Sequence, residues 1–513
     1  MSRKWLRCLA VFVLVAVPVF GCLAGQTTKD VLRVSTIQDP KDYHPYKRVS
    51  SQVMRINDHM FDRLLELGDK PNSYVPGIAT AWEYVEDGNA LKFTIREGVK
   101  FHNGAPMTIE DVVYSFKAAS KETASSGGID WLDWDGIKAL DKKTLYMPFL
   151  YKNSIALGYL GTTNLYIVPQ KVMEETGNRF GANPVGTGAF IFDKYVSGDY
   201  IQLKANPNYW RGVPAIKTII YRFIPETSQA MIELETGGID LVLDVSGKDT
   251  LRVEADPELK MVYGPSLIND LIYFNHSKPP FDNKLVRQAV AHAINKKALF
   301  RAVYQDVGII AVGPFPRSVW AFDEELLKQD WYPFDVDKAK ALLTEAGFPE
   351  GGNLTIEMYI DDRATRISAS EVIKNMLSKI GINTNIHSSD YSTWFSILFD
   401  GELENIYMNG TNASTGEPDK FFYQIMHKKF AEKGQPNMMR WKNDRFSELL
   451  DQARTSTDDE FKKKCYIEAQ RIFMEECPAI PYYERPHACA AVKNLQGVRP
   501  VGEVYDLKDC YFE

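Results

Sequence analysis

The order of hydrophobic and polar residues alternates along the chain between the period of a strand and the period of a helix. Short segments in which apolar residues alternate with polar ones or follow one another predict strands at residues 31–37, 91–96, 200–205, 218–224, 354–360 and 405–408. Segments with apolar residues at helical spacing lie between these predicted strands. This alternation, which continues from beginning to end, predicts an α/β protein rather than a sandwich or a helical bundle.

Several helices have clear boundaries in the sequence. Thr108 and Asp111 form a capping box that opens a helix whose apolar residues recur three and four positions apart. Other helices are predicted to begin at Asp282, at Asp335 and near Ser370, and two of them to end at Gly347 and Gly381. The charged run at residues 458–464 predicts the solvated face of a further helix.

The N-terminal residues indicate the cellular compartment. Arg3, Lys4 and Arg7 precede an apolar run at residues 9–20, which is the layout of a secretory signal peptide. The run ends in a lipobox-like sequence in which Cys22 is the residue that would be acylated; cleavage after Ala24 is the alternative. We therefore assign residues 1–22 to a signal peptide. The mature chain is expected in the periplasm or on the outer face of the cytoplasmic membrane, with a lipid anchor as its only membrane attachment.

Length and charge narrow the class of protein. The chain has 513 residues, and the mature part exceeds what a single hydrophobic core supports, so at least two lobes are expected. The net charge is -7, and lysine and arginine are scattered without a basic stripe. A nucleic-acid partner is therefore not expected.

Four cysteines lie near the C-terminus: Cys465, Cys477, Cys489 and Cys510. An even number of cysteines in an exported chain predicts one or two disulfides, with three possible pairings. Cys465 and Cys477 fall on one predicted helix, about 18 Å apart, so they cannot bond to each other. A zinc site is the alternative, but no CxxC pair or paired histidine spacing supports it.

The sequence contains no recognisable catalytic motif. There is no GxSxG, Walker, HExxH or CxxC pattern, and the glycines at positions 186 and 188 lack the third glycine of a dinucleotide-binding loop. The eight histidines are isolated from one another in sequence. We therefore expect neither an enzyme nor a metal site nor a cofactor.

Four stretches together resemble one protein family. They are residues 78–116, residues 183–241 with their Asn-Pro-Val-Gly-Thr-Gly-Ala-Phe start, residues 274–296 and residues 337–347. In this order they resemble extracellular solute-binding family 5, the dipeptide-, oligopeptide- and nickel-binding proteins of bacterial ABC importers. The resemblance implies a two-lobed periplasmic-binding-protein-like fold of type II, with a two-segment hinge near residues 263–270 and 480–486. Lobe I would comprise residues 23–262 and 486–513, with an inserted subdomain at about 50–180, and lobe II residues 263–485.

The resemblance also implies the function. The lobes would close on a short peptide, such as a dipeptide, an oligopeptide or a glutathione-like peptide, and a monomeric receptor would deliver it to the permease subunits of an importer. A nickel chelate, heme or an oligosaccharide is an alternative ligand on the same fold. A secreted hydrolase or a periplasmic chaperone is the alternative from another class of protein.

Peptide-binding relatives hold the ligand's ammonium group with an aspartate that precedes an acidic-proline pair. Counting back from Glu417, the matching residue here is Ser414, and the surrounding residues 412–417 look more like the glutathione-type branch. Glu417, Asp419 or Asp390 could supply the missing carboxylate, or each could serve only to cap or solvate a loop.

For the ligand's carboxylate, the resemblance implies an arginine after the strand at residues 354–360. Arg363 and Arg366 are the candidates, and at least one of them is expected to be a surface charge. Trp394 is placed either in the cleft or in the core. Tyr43 and His44, in the loop after the first strand, are weaker candidates for ligand contact.

Overall fold

The computed structural model describes residues 29–47, 51–70, 72–123, 129–243, 245–349, 354–413, 415–502 and 504–513. Their helices are α1 (Ser51–Met60), α2 (Ile109–Thr123), α3 (Ala156–Thr162), α4 (Gln170–Thr176), α5 (Thr227–Glu235), α6 (Gly247–Ala255), α7 (Lys284–Ala293), α8 (Lys296–Tyr304), α9 (Val336–Glu345), α10 (Ala364–Ser378), α11 (Tyr391–Phe399), α12 (Asp419–Met426), α13 (Asp444–Thr455) and α14 (Asp459–Glu476).

The strands of the same ranges are β1 (Val31–Thr36), β2 (Leu65–Leu67), β3 (Tyr74–Pro76), β4 (Ala79–Val85), β5 (Ala90–Ile95), β6 (Lys138–Ala139), β7 (Thr144–Pro148), β8 (Phe190–Val196), β9 (Tyr200–Ala205), β10 (Thr218–Phe223), β11 (Leu241–Val242), β12 (Leu259–Gly264), β13 (Asn269–Phe274), β14 (Thr355–Asp361), β15 (Asn383–Ser389), β16 (Ile406–Gly410), β17 (Ala479–Glu484), β18 (His487–Val492), β19 (Leu495–Gln496), β20 (Arg499–Val501), β21 (Val504–Asp506) and β22 (Tyr511–Phe512).

The first large sheet has seven strands in the order β12-β18-β11-β1-β10-β9-β8. At its centre β1 runs parallel to both β10 and β11, with Val31 opposite Thr218 and Val34 opposite Leu241. Leu32 and Val34 are fully buried. Helices cover a parallel sheet on its faces, so a central strand of this kind carries buried apolar side chains. We call this sheet and the elements packed on it lobe I.

The second large sheet has five strands in the order β15-β14-β16-β13-β17. Strand β14 is parallel to β15 and β16, whereas β13 is antiparallel to β16 and β17. All six residues of β13 are buried, because the strand lies inside the sheet with side chains packed on both faces. We call this sheet and its surrounding helices lobe II.

A smaller antiparallel sheet, β4-β5-β7-β6, extends lobe I. Its residues Leu91, Phe93 and Leu145 belong to the same hydrophobic core as Leu32 and Val34 of the seven-stranded sheet. The small sheet therefore packs on lobe I as one continuous body. We call it the subdomain sheet.

The chain passes between the two large sheets at two places. The first connection, residues 265–268, joins β12 to β13, and the second connection, residues 485–486, joins β17 to β18. Both connections are short, so the two sheets lie close together at this side of the molecule.

The structure confirms the predicted strands to within two residues at either end. It also confirms the capping box, in which the backbone N–H of Thr108 donates to Asp111 and the backbone N–H of Asp111 donates to the Thr108 hydroxyl. Gly347 and Gly381 follow helices α9 and α10 with positive φ. Helix α10 begins at Ala364, six residues earlier than expected, because its first turn is polar and weakens the apolar pattern there.

Candidate functional site

The parallel strands of each large sheet end at the edge that faces the other sheet. In lobe II, β14 and β16 are parallel and end at Asp361 and Gly410, and Asp270 of β13 pairs with Gly410 at that edge. In lobe I, β10 and β11 end near the start of β18. Ligands of open α/β sheets bind outside the carboxyl ends of the strands. The two sheets therefore present their binding edges to each other.

A cavity of about 500 Å³ lies between these edges. Thr227, Leu243 and Ala488 line it from lobe I, Arg363 lines it from lobe II, and Arg485 lines it from the second connection. Its volume falls in the range of small-molecule sites, which bury most of a ligand's surface. We call this space the interlobe cavity.

Among the described residues, Arg363 is the one predicted site residue that lies on the wall of the interlobe cavity. It lies two residues after the end of β14 and occupies the N-cap position of α10. Its Nε and Nη2 atoms donate to the two oxygens of Asp361 at 2.7 and 2.6 Å. This pairing holds the guanidinium in a fixed orientation, while 45% of the side chain stays exposed.

Arg366 occupies a different position. Its side chain is only 3% exposed, so it reaches neither the interlobe cavity nor the outer surface. Nη2 donates to Asp270 at 2.9 Å, Nη1 donates to the Tyr482 hydroxyl at 3.2 Å, and Nε lies 3.6 Å from Asp361. We expected at least one of the two arginines to be a surface charge. Arg366 is not one, because its position on α10 points its side chain inward, toward the buried carboxylates of Asp270 and Asp361.

Arg485 was not predicted from the sequence. It lines the interlobe cavity, and its Nε and Nη2 atoms donate to Asp270 at 2.7 and 2.6 Å. Although burial alone would raise the pKa of Asp270, the adjacent Arg485 and Arg366 guanidiniums hold that pKa well below its usual range. The only sequence signal for Arg485 was its place within the predicted crossing at residues 480–486.

Trp394 lies in the core of lobe II and is 1% exposed. Its ring meets Tyr407 edge to face, at 6.4 Å between centroids. Of the two placements considered for Trp394, the geometry is that of the core, because the fourth residue of α11 faces inward. The exposed aromatic residue of this helix is Tyr391, of which 59% is accessible.

Asp390 caps α11. Its carboxylate accepts hydrogen bonds from the backbone N–H groups of Ser392 and Thr393 at 3.0 and 3.1 Å. The side-chain and backbone hydrogen bonds of Thr393, with that of Ser392, lower the pKa of Asp390. Of the two roles considered for Asp390, the geometry is that of a helix cap.

Glu417 and Asp419 are buried carboxylates that already have cationic neighbours. Glu417 lies 3.3 Å from the ammonium of Lys462, and Asp419 lies 3.1 Å from Nε of Arg454. Burial raises the pKa of both carboxyl groups. Neither residue lines the interlobe cavity. A contact of either residue with the ligand's ammonium group therefore stays a prediction, and Ser414 lies outside the described residues.

Lys462 also changes the interpretation of the charged run. It is 2% exposed, whereas its neighbours Lys463 and Lys464 are exposed. The run at residues 458–464 is therefore only partly a solvated face: one of its three lysines points inward to neutralise Glu417.

Tyr43 and His44 are buried in lobe I, with exposures of 2% and 8%. The Tyr43 ring packs edge to face against Tyr195, and His44 packs against Phe180. Neither residue lines the interlobe cavity. The loop after β1 folds back into the core of lobe I, which the sequence pattern did not reveal.

A second set of contacts joins the lobes away from the cavity lining. The backbone N–H of Ser154 donates to the carbonyl of Arg454 at 2.8 Å, and its hydroxyl donates to the carbonyls of Ala453 and Arg454. The Gln424 side-chain amide donates to the Tyr159 hydroxyl at 2.8 Å. We call these contacts between lobe I and lobe II the interlobe clasp.

The four C-terminal cysteines are buried and carry free thiols. Cys465 and Cys477 belong to two different cores of lobe II, and Cys489 and Cys510 to the core of lobe I. This arrangement departs from the expected disulfides, because each thiol is accommodated as a small apolar side chain. As expected, Cys465 and Cys477 lie on the same helix, Cys477 at its C-terminal cap.

Two further features of the described residues bear on function. None of their helices combines the length and the apolar character needed to cross a membrane. Among the same residues, no cluster of three or more histidine, cysteine, aspartate or glutamate side chains has the geometry of a metal site.

Two α/β lobes, two short connections and a charged cavity between facing sheet edges define a protein of the two-lobed solute-binding class. The sequence of residues 73–433 matches the family of bacterial extracellular solute-binding proteins, family 5 Middle. The chain therefore belongs to this family, as the resemblance implied.

Individual proteins are also similar. The chain is 30% identical over 451 residues to heme-binding protein A of Haemophilus influenzae, covering 83% of this chain and 81% of the relative. It is 27% identical to the dipeptide-binding protein of Escherichia coli, covering 82% and 83%. The solved periplasmic binding protein DppA of Helicobacter pylori, in complex with the peptide STSA, superposes with a TM-score of 0.80 at 25% identity, covering 95% and 98%.

Proposed function

We propose that this protein is the substrate-binding component of an ABC importer and that it binds a short peptide in the interlobe cavity. The peptide's terminal carboxylate would be held by Arg363, and the closed, loaded protein would be recognised by the permease subunits in the membrane. Binding favours closure because the ligand contacts both lobes only when they are together.

The observation that carries the proposal is the charge of the ion-pair network that reaches the cavity wall through Arg363 and Arg485. Arg363, Arg366 and Arg485 provide three guanidinium groups, and Asp270 and Asp361 provide two carboxylates. One positive charge of this network is left over next to the cavity. The free carboxylate of a peptide supplies a counter-charge with the planar geometry that a guanidinium prefers.

The similarities agree with this ligand class. A relative at 27% identity is a dipeptide-binding protein, and DppA, a structural neighbour, is in complex with a four-residue peptide. A neutral oligosaccharide leaves the excess charge unpaired. Heme is the second candidate, because heme-binding protein A is 30% identical to this chain.

The test is a thermal-shift titration of the purified protein with Met-Leu, Ser-Thr-Ser-Ala and glutathione, each as free acid and as C-terminal amide, and with heme. A ligand that binds only the native state raises Tm with concentration. We expect at least one free-acid peptide to raise Tm and its amide to raise it less. A shift with heme alone, or with no peptide, would reject the peptide assignment. Mass spectrometry should recover the peptide intact, since no bond is made or broken.

The cellular location is part of the same proposal. We propose that the chain is exported and that Cys22, outside the described residues, is acylated and anchors a monomeric receptor to the outer face of the membrane. Metabolic labelling with a radioactive fatty acid should label the wild type and not a Cys22→Ala variant. Release of unlabelled wild-type protein into the soluble fraction would instead indicate cleavage after Ala24.

A further inference from the structure

Arg485 lies both at the hinge and on the wall of the interlobe cavity. It is the first of the two residues that connect β17 to β18, and it lines the interlobe cavity together with Arg363. Its backbone N–H donates to the carbonyl of Ile268 at 2.9 Å, and its carbonyl accepts from the Ser266 hydroxyl at 2.5 Å. Arg485 is therefore attached to both chain connections.

Arg485 and Arg363 are held in the same way. Each guanidinium uses Nε and Nη2 to bind the two oxygens of one buried aspartate, Asp270 for Arg485 and Asp361 for Arg363. A guanidinium has five N–H donors, so each arginine keeps the edge formed by Nη1 and Nη2 available for a second acceptor. Among the described residues, no hydrogen bond occupies Nη1 of either arginine.

The aspartates orient the two arginines without cancelling their combined charge. Asp270 is shared between Arg485 and Arg366, and Asp361 between Arg363 and Arg366. Three cations against two anions leave one positive charge in this network. A single carboxylate, with two oxygens that each accept more than one hydrogen bond, is the group that balances it.

We propose that Arg485 is a second binding residue for the ligand's carboxylate, acting together with Arg363 from the hinge itself. The proposal rests on the proposed function, because it takes a peptide as the ligand. Its consequence is that the ligand's negative charge contacts a connection between the lobes, so that carboxylate binding and the position of the hinge are coupled.

The test removes the carboxylate from the ligand and the guanidinium from the protein in turn. The ligand is the tightest-binding free acid among Met-Leu, Ser-Thr-Ser-Ala and glutathione, with its C-terminal amide as partner, and Kd is measured by titration calorimetry. For Arg485→Gln we expect Kd for the free acid to rise at least about 10-fold, because a charge-assisted hydrogen bond is lost, and Kd for the amide to change less than about 3-fold. The ratio of the two Kd values, amide to free acid, should therefore be smaller in Arg485→Gln than in the wild type.

Arg317→Gln is the matched control. Arg317 is another partly exposed arginine near the hinge, 3.5 Å from Glu484, but it lines a different cavity. We expect it to keep the acid-to-amide ratio of the wild type. Arg485→Lys keeps the charge without the planar fork, so its ratio should lie between those of the wild type and Arg485→Gln; it also replaces the glutamine variant if that variant fails to fold.

The possible outcomes separate the two proposals. If the wild type binds a peptide but Arg485→Gln weakens acid and amide equally, Arg485 is only a structural hinge residue and the inference is wrong. If the wild type prefers the acid and the variant keeps that preference, the inference is also wrong. If the wild type binds no peptide at all, the proposed function fails, and the role of Arg485 fails with it.

Discussion

Asp270 and Arg485 connect the two chain passages between the lobes through two hydrogen bonds of 2.7 and 2.6 Å. Asp270 lies just after the first connection, and Arg485 lies in the second. The same aspartate also binds the buried Arg366, which approaches Asp361. One ion-pair network therefore extends from the hinge to Arg363 at the cavity wall.

Asp270→Asn should destabilise the protein strongly. The substitution leaves Arg366 buried without its main counter-charge, and breaking a buried ion pair costs about 3–5 kcal/mol. Urea unfolding followed by circular dichroism measures the change. Asp444→Asn, which removes only an exposed partner of Lys428, is the control and should leave the urea midpoint nearly unchanged. Equal midpoints for the two variants would show that the network does not stabilise the fold.

The free energy of unfolding should also depend on pH through the Asp270 carboxylate. Its pKa is depressed in the folded state, so its stabilising contribution is present above the unfolded value, near pH 4, and is lost as the pH falls below that value. We expect the free energy of unfolding of the wild type to fall more steeply between pH 5 and pH 3 than that of Asp270→Asn. Parallel slopes for the two proteins would contradict this assignment.

Arg363→Gln should weaken peptide binding while leaving the fold intact. Arg363 is partly exposed and lines the cavity, so the change removes a charge-assisted contact with the ligand's carboxylate. Kd for a free-acid peptide should rise about 10- to 100-fold by calorimetry. Arg301→Gln, on the outer surface of α8, is the matched control and should bind like the wild type. Unchanged affinity in Arg363→Gln would remove this residue from the site.

Gln424→Ala tests the interlobe clasp. The variant loses the hydrogen bond to Tyr159, which lies in the other lobe, and so the closed form becomes less populated. Since apparent affinity scales with the fraction of the binding-competent form, Kd should rise about 2- to 10-fold. Small-angle X-ray scattering should report a larger radius of gyration. Gln435→Ala, on an exposed loop of the same lobe, should change neither quantity.

Lys462→Met should destabilise the protein more than Lys463→Met, although the two lysines are adjacent. Lys462 neutralises the buried Glu417, whereas Lys463 is exposed. Without Lys462 the pKa of Glu417 rises further, so the folded state binds a proton more tightly. Thermal unfolding should therefore show a Tm loss for Lys462→Met that is largest near pH 7 and smaller near pH 5. A loss independent of pH would point to packing instead.

Trp394→Ala and Tyr391→Ala distinguish the core from the cleft. Trp394 is buried among the aromatic residues of lobe II, so its truncation should cost about 3–5 kcal/mol of unfolding free energy. Tyr391 is largely exposed, and its truncation should have little effect on stability. Chemical denaturation of both variants provides the comparison. Similar losses would contradict the orientation of α11.

Much of the fold could be predicted because its signals are local. The strand at residues 218–224 and the helix beginning after Asp335 were found within one residue, since burial on a regular element repeats with that element's period. The site was predicted less well. Trp394 and Tyr391 lie on one helix three residues apart, and hydrophobicity alone does not tell which of two aromatic residues faces outward.

The sequence by itself determined the α/β class, the order of the elements, their caps and the family, because each depends on residue types at fixed local spacing. Only the tertiary structure places Asp270 next to Arg485, which lies 215 positions further along the chain, and Glu417 next to Lys462. The partner of a charge depends on which distant segment packs against it. The charge left over at the cavity, which the proposed function uses, therefore emerges only when the two lobes and both connections are assembled.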